Sequence, residues 1–276
     1  MIEGITIRHY RASGILIEFG FGHRIVNNKI INMIENGVEV MSSRDNLIWR
    51  NEISKCYDGV LLIEGNTNNW VIENVAIECY GDGFEAFLAP DSNNAFISNK
   101  AIRNRNNGLE IYGTNNLLMN NLLIDNGQGV IINEGNSSVA IGNIVRGTRV
   151  GTYTIFDGYF NHFVGGNNII CNRREGIENN GEFNVIYNNK ISYNGDNGIL
   201  LGTTSVLNLV MNNKLVCNIP ENIDDRGIDN YLIDNIEKAC DPCKTPSDVC
   251  DNYPHAIHKG MDGSKEGVDN GCKKVK

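Results

Sequence analysis

A segment rich in asparagine and glycine recurs along this chain at a nearly constant interval. One copy is NKISYNGDNGILL at 189–201, and others are NKAIRNRNNGLEI at 99–111 and NEISKCYDGVLL at 51–62. Each copy has an Asn, a short apolar run, a polar turn, a Gly and a second apolar run. Neighbouring copies lie about 21 to 25 residues apart. A fixed period in this range is the signature of a solenoid, in which each repeat packs only against its neighbours.

The composition of one repeat selects among the solenoid classes. Each repeat holds short apolar runs rich in Ile, Val and Leu, with no long stretch of helical periodicity. Helical arrays need two helices per repeat, and the Leu-x-x-Leu-x-Leu frame of leucine-rich repeats is absent. The sequence therefore predicts an all-β fold, a parallel β-helix of about ten coils with three short strands per coil. Neighbouring coils are expected about 4.8 Å apart.

Asparagine outnumbers even the 30 glycines of the chain. Asn tolerates the left-handed backbone of sharp corners, and stacked Asn amides can hydrogen-bond from coil to coil. One predicted ladder consists of Asn27, Asn51, Asn74, Asn99, Asn121, Asn143, Asn167, Asn189 and Asn213. A second consists of Asn32, Asn104, Asn126, Asn172, Asn194 and Asn218. The predicted core stack consists of Ile53, Ile77, Ile102, Ile124, Ile170, Ile191 and Leu215.

The pattern Asn-x-Ile-x-x-Asn followed by Gly-[Ile/Val]-x-[Ile/Leu] resembles the right-handed parallel β-helix repeat of the pectate-lyase-like superfamily. The resemblance covers residues 1–229 and leaves 230–276 as a last partial coil with a Cys-rich tail. It implies an extracellular or cell-surface protein associated with polysaccharide. A lyase or epimerase acting on an acidic polysaccharide, or a glycoside hydrolase, is one form of that function. The alternative is a non-catalytic structural, adhesin or glycan-binding module, since this fold hosts all of these.

Charge and hydropathy exclude some partners. The net charge of −9 argues against nucleic acid, because no basic stripe exists to meet phosphates. No run of 18 apolar residues is present, so no transmembrane segment is expected. The sequence enters a repeat directly and shows no signal peptide. We therefore expect a fragment, or a chain that has lost its N-terminal cap and any signal. The oligomeric state is not predicted.

Carboxylates that break the repeat are the first candidates for chemistry. Asp58 and Asp82 each precede a strand glycine in adjacent coils, and Glu85 and Glu110 occupy outward strand positions. Stacking is expected to bring Glu85 and Glu110 about 5 Å apart, which suits a retaining glycosidase. The four carboxylates also suit a calcium site, because a hard cation needs several oxygens. The alternative is a solvated acidic face, since Glu39 and Glu178 occupy the same column.

Basic and aromatic residues are expected beside these carboxylates, namely Lys55, Arg103, Arg105, Tyr57 and Tyr80. The superfamily resemblance implies an arrangement in which calcium acidifies the proton next to a uronate carboxylate. A Lys or Arg base, here Lys55 or Arg103, then removes that proton.

A second candidate site interrupts the repeat at Thr154–His162. The set Arg149, Asp157, Tyr159 and His162 loosely resembles the acid/base groups of alginate epimerases, although the motif of that family is absent. One such group would take the C5 proton of the sugar and another would return it. The alternative is a bulged coil whose aromatic side chains pack on one another.

The cysteines allow more than one state. Those of the tail are Cys240, Cys243, Cys250 and Cys272. In an oxidising compartment they predict a two-disulfide tail with three possible connectivities. In a reducing one, Cys240, Cys243 and Cys250 could hold zinc with His255, His258 or Cys272 as the fourth ligand. A disordered tail with free thiols is the third possibility. Within the repeats, Cys56 and Cys79 are expected as stacked free thiols.

Overall fold

The computed structural model describes residues 1–87, 91–155, 160–241 and 249–250. Across these ranges, 32 short strands follow one another in a repeating order of three. Each strand pairs in parallel with the equivalent strand of the next coil, which gives sheets of 11, 11 and 10 strands. The chain is therefore an all-β parallel β-helix of about ten coils, as predicted. None of the described residues forms a helix long and apolar enough to cross a membrane.

The three sheets run the length of the rod and are named here in the order in which the chain visits them. Sheet A comprises β1 (Ile2–Glu3), β4 (Arg24–Val26), β7 (Leu47–Trp49), β10 (Trp70–Ile72), β13 (Ala95–Ile97), β16 (Leu117–Met119), β19 (Val139–Ile141), β22 (Phe163–Gly165), β25 (Val185–Tyr187), β28 (Leu209–Met211) and β31 (Tyr231–Ile233). Sheet B comprises β2 (Thr6–Arg8), β5 (Lys29–Ile31), β8 (Glu52–Ser54), β11 (Val75–Ile77), β14 (Lys100–Ile102), β17 (Leu122–Ile124), β20 (Ile144–Arg146), β23 (Asn168–Ile170), β26 (Lys190–Ser192), β29 (Lys214–Val216) and β32 (Ile236–Lys238). Sheet C comprises β3 (Ile15–Glu18), β6 (Val38–Met41), β9 (Val60–Ile63), β12 (Phe84–Phe87), β15 (Asn107–Ile111), β18 (Gln128–Ile132), β21 (Gly151–Ile155), β24 (Ile177–Asn179), β27 (Ile199–Leu201) and β30 (Ile223–Asp225).

The core is a stack of inward side chains from all three sheets. In a strand, successive side chains point to opposite faces, so a three-residue strand has one inward residue flanked by two outward ones. Ile48 and Leu118 of sheet A are such inward residues and are fully buried. In sheet C, Phe84 and Leu109 point inward and are also fully buried. The outward positions remain free to carry function.

The predicted core stack was wrong in sheet B at Ile77, Ile102, Ile124 and Ile170. These residues lie outward and half-buried, whereas the residues before them are fully buried. Ile53, Ile191 and Leu215 are buried, as predicted. A one-residue shift moves a strand's side chains to the opposite face. The segments VAI and LLI are apolar at both kinds of position, so their composition does not reveal which face is inward. In KAI a signal was present and was overlooked, because Lys100 shares a face with Ile102 and therefore places it outward.

Asparagine ladders line the corners of the rod. In the first ladder the backbone N–H of Asn51 donates to Oδ1 of Asn74, and that of Asn74 donates to Oδ1 of Asn99, each at 2.9 Å. The ladder begins at Asn28 and not at the predicted Asn27, which is exposed with φ of 53°. These bonds satisfy buried amides in every coil.

The second ladder departs from the prediction at its start. Asn32 is an exposed corner residue with φ of 58°. The first ladder amide after the thiol of Cys79 is Asn104, whose Oδ1 accepts the Cys79 N–H at 2.9 Å. A third, unpredicted ladder precedes sheet A and contains Asn46, Asn69, Asn94, Asn116, Ser138, His162, Asn184, Asn208 and Asn230.

Two disulfides, Cys171–Cys250 and Cys217–Cys240, fasten the tail to the rod. The predicted pairing of tail cysteines among themselves is therefore wrong for Cys240 and Cys250. The predicted zinc set is also wrong, because it requires both of these sulfurs as free thiolates. Its other possible ligands, Cys243, His255, His258 and Cys272, lie outside the described residues. Cys56 and Cys79 are free and buried, as predicted.

Candidate functional site

Five carboxylates gather where the chain enters the first half of sheet C. We call this group the acidic cluster, and it consists of Glu39, Asp58, Asp82, Glu85 and Glu110. Strands β12 and β15 place Glu85 directly beside Glu110, as predicted. On the other side of Glu85 the same outward column continues with Leu61 and then Glu39. Leu61 is only 8% exposed, because its outward side chain lies between the two glutamate-bearing strands.

Asp58 and Asp82 are held by a short ladder of backbone hydrogen bonds. The N–H of Asp82 donates to Oδ1 of Asp58, and the N–H of Asn107 donates to Oδ1 of Asp82, both at 2.7 Å. In the preceding coils, the side chains of Asn36 and Ser13 accept the equivalent bonds. Asp58 and Asp82 are each 4% exposed. The two aspartates thus carry ionisable groups at buried positions that neutral side chains fill in neighbouring coils.

Three members of the cluster converge closely. Asp58, Asp82 and Glu85 each bring one carboxylate oxygen within 4.8 Å of the other two. All three donors are oxygens, which suits a hard cation such as Ca²⁺.

The flanking glutamates are held by neighbouring amides. Asn107 Nδ2 donates to Glu110 Oε2 at 2.6 Å, and Asn36 Nδ2 donates to Glu39 Oε2 at 3.0 Å. The side chain of Glu85 makes no hydrogen bond or ion pair within the described part of the chain, although its backbone is paired in sheet C. Glu85 is therefore the cluster carboxylate most available to a ligand.

Burial and mutual repulsion raise the pKa values of the converging carboxyls. Desolvation is the largest cause in each case. It raises the pKa of Asp58 to about 6 and that of Glu85 to about 9, and it holds the pKa of Asp82 well above its usual range. The neighbouring carboxylates raise all three further. Without a cation, Glu85 therefore carries a proton at neutral pH.

One of the three basic residues expected beside the cluster, Arg103, is engaged elsewhere. Arg103 Nη2 pairs with Glu78 Oε1 at 2.9 Å, next to sheet B. Arg149, which the sequence assigned to the second candidate site, donates through its guanidinium to the carbonyl oxygens of Asn104 and Arg105 at 3.1 and 2.9 Å. Among the described residues, no Lys or Arg forms an ion pair with the cluster.

The remaining neighbours named from the sequence, Lys55, Tyr57, Tyr80 and Arg105, are exposed at the corner between sheets B and C. The backbone of Lys55 adopts φ of 55°, which continues the left-handed corner column. Lys55 is thus the cationic residue nearest in sequence to Asp58 that has no described ion pair.

The second candidate site is only partly described. Asp157 and Tyr159 lie outside the described residues. His162 is 1% exposed and takes a place in the ladder before sheet A. Its Nδ1 accepts the backbone N–H of Ser138 at 3.2 Å, and its own N–H donates to Oδ1 of Asn184 at 2.8 Å. Burial lowers the pKa of His162 to about 4, so it stays neutral and supports the backbone.

The sequence analysis missed that the aspartates belong to a ladder, although a signal was present. Residues of one column precede successive strand glycines in the pairs Ser13-Gly14, Asn36-Gly37, Asp58-Gly59, Asp82-Gly83 and Asn107-Gly108. Asp91 was missed as well. It is fully buried, accepts the N–H of Asn66, and has its pKa raised to about 7 by burial. In both places an acid replaces the ladder amide or hydroxyl.

Comparison with known proteins supports the architecture. The family model described as "Right handed beta helix region" matches residues 1–87. No curated protein matches the sequence significantly.

Solved structures match over most of the rod. The periplasmic alginate epimerase AlgG has a TM-score of 0.63 at 13% identity, covering 84% of this chain and 77% of that chain. The A-module of mannuronan C-5 epimerase AlgE6 from Azotobacter vinelandii has a TM-score of 0.56 at 13% identity, covering 86% and 85%. The AlgE4 A-module from the same organism has a TM-score of 0.52 at 14% identity, covering 87% and 90%. The chain is a right-handed parallel β-helix repeat protein, and identities this low carry the likeness no further than the fold.

Proposed function

We propose that this protein binds an acidic polysaccharide at the outer face of sheet C through a divalent cation, calcium in the first place, held by Asp58, Asp82 and Glu85. The observation that carries the proposal is the convergence of three carboxylate oxygens within 4.8 Å of one another. The absence of a described basic partner supports it, since the group then has no positive charge of its own. The alginate epimerases of similar fold make a uronate polymer a reasonable substrate class.

Electrostatics explain why a cation belongs in this arrangement. Desolvated carboxylates that repel one another retain their protons at higher pH. A divalent cation can displace these protons, because its two positive charges interact with all three carboxylates at once. Calcium takes six to eight oxygen ligands, so three protein carboxylates leave positions for water and for a uronate carboxylate. A chain of net charge −9 repels a polyanion, and a bridging cation offsets that repulsion.

A catalytic form of the proposal is a lyase or an epimerase. A bound cation would withdraw electrons from the uronate carboxylate and so acidify the adjacent C5 proton. Lys55 is the residue we assign to removing that proton, because Arg103 is paired with Glu78. If Lys55 does not act, the same surface is a glycan-binding module without catalysis.

A second candidate function, retaining glycoside hydrolysis, is favoured by one specific observation. Glu85 has its pKa raised to about 9 and lies beside Glu110 in the adjacent strand. A protonated acid and a second carboxylate separated by about 5 Å form the pair that such enzymes use. In this form, Glu85 would protonate the leaving oxygen and Glu110 would attack the sugar. Activity that survives chelation of divalent cations would support this candidate over the first.

The test of the first proposal is thermal unfolding with Ca²⁺ and an oligouronate. A ligand at a hundredfold excess over Kd, bound only by the folded state, adds about 2.7 kcal/mol to the free energy of unfolding. We expect the rise in wild type and its loss in Asp82→Asn with Glu85→Gln. Glu178→Gln is the matched control, since it lies in the same outward column beyond the cluster. An equal rise in the double variant, or no rise in wild type, contradicts the proposal.

The same protein can be assayed for lyase activity by following unsaturated sugar products, with Lys55→Ala as the test of the base.

The cellular location is also part of this proposal. The two disulfides favour an oxidising compartment, either extracellular, at the cell surface or periplasmic.

A further inference from the structure

The outer face of sheet A is apolar along nine consecutive strands. Its outward residues from β7 to β31 are Leu47, Trp49, Trp70, Ile72, Ala95, Ile97, Leu117, Met119, Val139, Ile141, Phe163, Gly165, Val185, Tyr187, Leu209, Met211, Tyr231 and Ile233. None carries a charge. Both tryptophans of the chain lie on this face. Sheet B, by contrast, has charged outward residues such as Lys100 and Lys190.

This surface is open within the described structure. Trp70 is 49% exposed and Tyr231 is 56% exposed. Most of the other outward residues are half-buried, because the strands above and below cover their flanks while their outer surface remains free. Contiguous apolar surface of this kind marks an interaction site in soluble proteins.

The border of the face is uncharged over its central part. The exposed corner column that precedes the strands contains Asn68, Asn93, Asn115, Ser137 and Asn161. In the next two coils this column turns apolar, with Phe183 and Leu207. The column that follows the strands begins with Arg50 and Glu73, an ion pair that contacts the indole of Trp49, and is uncharged from Ser98 to Asn212. An apolar centre that includes aromatic and Met side chains, with a border that is uncharged along its middle, is the anatomy of a protein interface.

The dimensions suit an interface between proteins. Nine strands at the sheet spacing are about 43 Å long, and three residues plus one border residue on each side are about 16 Å wide. The resulting area of roughly 700 Å² is close to the ~800 Å² per partner of a stable complex. A single sugar ring or short peptide would cover only part of it.

We propose that the outer face of sheet A is the site at which a second copy of this chain docks, with the two sheets packed face to face. A two-fold interface joins a surface to itself, so it must not oppose like charges, and this face has none. Two chains of net charge −9 can therefore meet here, whereas their acidic clusters, on sheet C, stay apart and open to ligand. Two sheets packed in this way lie about 10 Å apart.

Other occupants fit this face less well. A glycan needs convergent hydrogen-bonding groups, and the outward residues of this face offer only the Tyr hydroxyls and the Trp N–H groups. An anionic membrane surface attracts clustered basic residues, and none of the outward residues of the nine strands is basic. Arg50, at the edge beside Trp49, is paired with Glu73.

The test is sedimentation equilibrium of the intact chain from about 1 to 100 μM, with Ile97→Glu plus Leu117→Glu on the third and fourth of the nine strands. We expect a dimeric mass for wild type and at least a hundredfold weaker association for the double variant. The control is Ile102→Glu plus Ile124→Glu, two half-buried outward residues of sheet B in the same coils. This control should remain dimeric. Far-UV circular dichroism and melting show whether each variant folds.

A second readout keeps the test decisive if the double variant fails to fold. The tryptophan emission should shift to shorter wavelength as wild type associates on concentration, because Trp70, which is 49% exposed in the single chain, becomes buried. A wild-type chain that is monomeric throughout, or that binds neutral lipid vesicles as a monomer, overturns the proposal. Dimerisation that is unchanged in the folded double variant, or association without a change in Trp emission, also overturns it.

Discussion

The outer faces of sheets A and C belong to the same coils, yet they carry opposite chemistry. Strand β16 of sheet A has Leu117 at an outward position, whereas β15 of sheet C, the strand that precedes β16 in the chain, has Glu110 at an outward position. Both faces are built on the same inward apolar stack and the same corner ladders. The inward columns of a β-helix therefore maintain the fold, and each outward face is free to acquire its own binding partner.

The two faces also differ in what they lack. Sheet A exposes apolar, uncharged side chains to water, so a partner with an apolar surface is the one that removes this area from water. Sheet C concentrates carboxylates that form no ion pair with a Lys or Arg among the described residues, so a bound cation or protons reduce their mutual repulsion.

The sharpest contrast lies between the two sides of sheet A. Leu118→Asp places an unpaired carboxylate in the core and should lower the free energy of unfolding by roughly 4 kcal/mol or more. Met119→Asp, one residue on, points outward and should cost the monomer less than about 1 kcal/mol. Urea denaturation of dilute protein measures both. Similar losses would mean that the assigned register of sheet A is incorrect.

Sheet C should show an effect of charge that sheet A does not. The pKa values of Asp58 and Glu85, about 6 and about 9, lie above their unfolded values, so between pH 4 and 9 the folded chain binds more protons. Stability from these groups is thus full at low pH and is lost as pH rises through the folded pKa values. Asp82→Asn with Glu85→Gln should flatten this slope and stabilise the cation-free protein by about 2 kcal/mol at pH 8.

Leu117→Gln on sheet A is the matched control for that experiment and should leave the pH dependence unchanged.

At acidic pH, His162 contributes to stability with the opposite dependence on pH. The pKa of His162, lowered to about 4, means that its contribution is present above its unfolded pKa and is lost as pH falls through 4. A wild-type stability that rises steadily from pH 5 to 9 would refute the raised pKa values of the cluster.

Competition between protons and calcium gives a somewhat smaller effect. At pH 8 the cluster is closer to deprotonation than at pH 5, so Ca²⁺ should bind more tightly at pH 8. We expect the calcium-induced rise in melting temperature to be at least halved at pH 5, measured at one fixed Ca²⁺ concentration. A rise of the same size at both pH values would place the cation on groups other than Asp58, Asp82 and Glu85.

Sheet B provides the smallest expected change and serves as the reference for both faces. Ile102→Gln lies outward on a sheet of mixed composition and should alter the free energy of unfolding by less than about 1 kcal/mol. It should leave the dimer mass and the response to Ca²⁺ unchanged. A loss of several kcal/mol would restore Ile102 to the core, where the sequence pattern had placed it.

The repeat determined most of the fold. Its constant period specifies a solenoid, and its recurrent Asn residues specify the buried ladders, because stacked amides hydrogen-bond from coil to coil. The left-handed corner residues themselves are of many types, Lys55 and Phe183 among them. The stacking of Glu85 on Glu110 followed from the same period, since equivalent residues of adjacent coils must be neighbours. The free thiols of Cys56 and Cys79 were predicted because a β-helix interior accepts Cys as a small apolar residue.

Tertiary structure decided what the period leaves open. The inward side of segments such as VAI and LLI depends on register, because both kinds of position are apolar and composition does not distinguish them. Only the tertiary structure shows that the side chain of Arg103 pairs with Glu78 and not with a carboxylate of the acidic cluster. The disulfide between Cys171 and Cys250 joins residues 79 apart, a distance that no local pattern encodes. The burial of Asp58 and Asp82, which creates the proposed site, arises only because a backbone ladder draws their carboxylates inward.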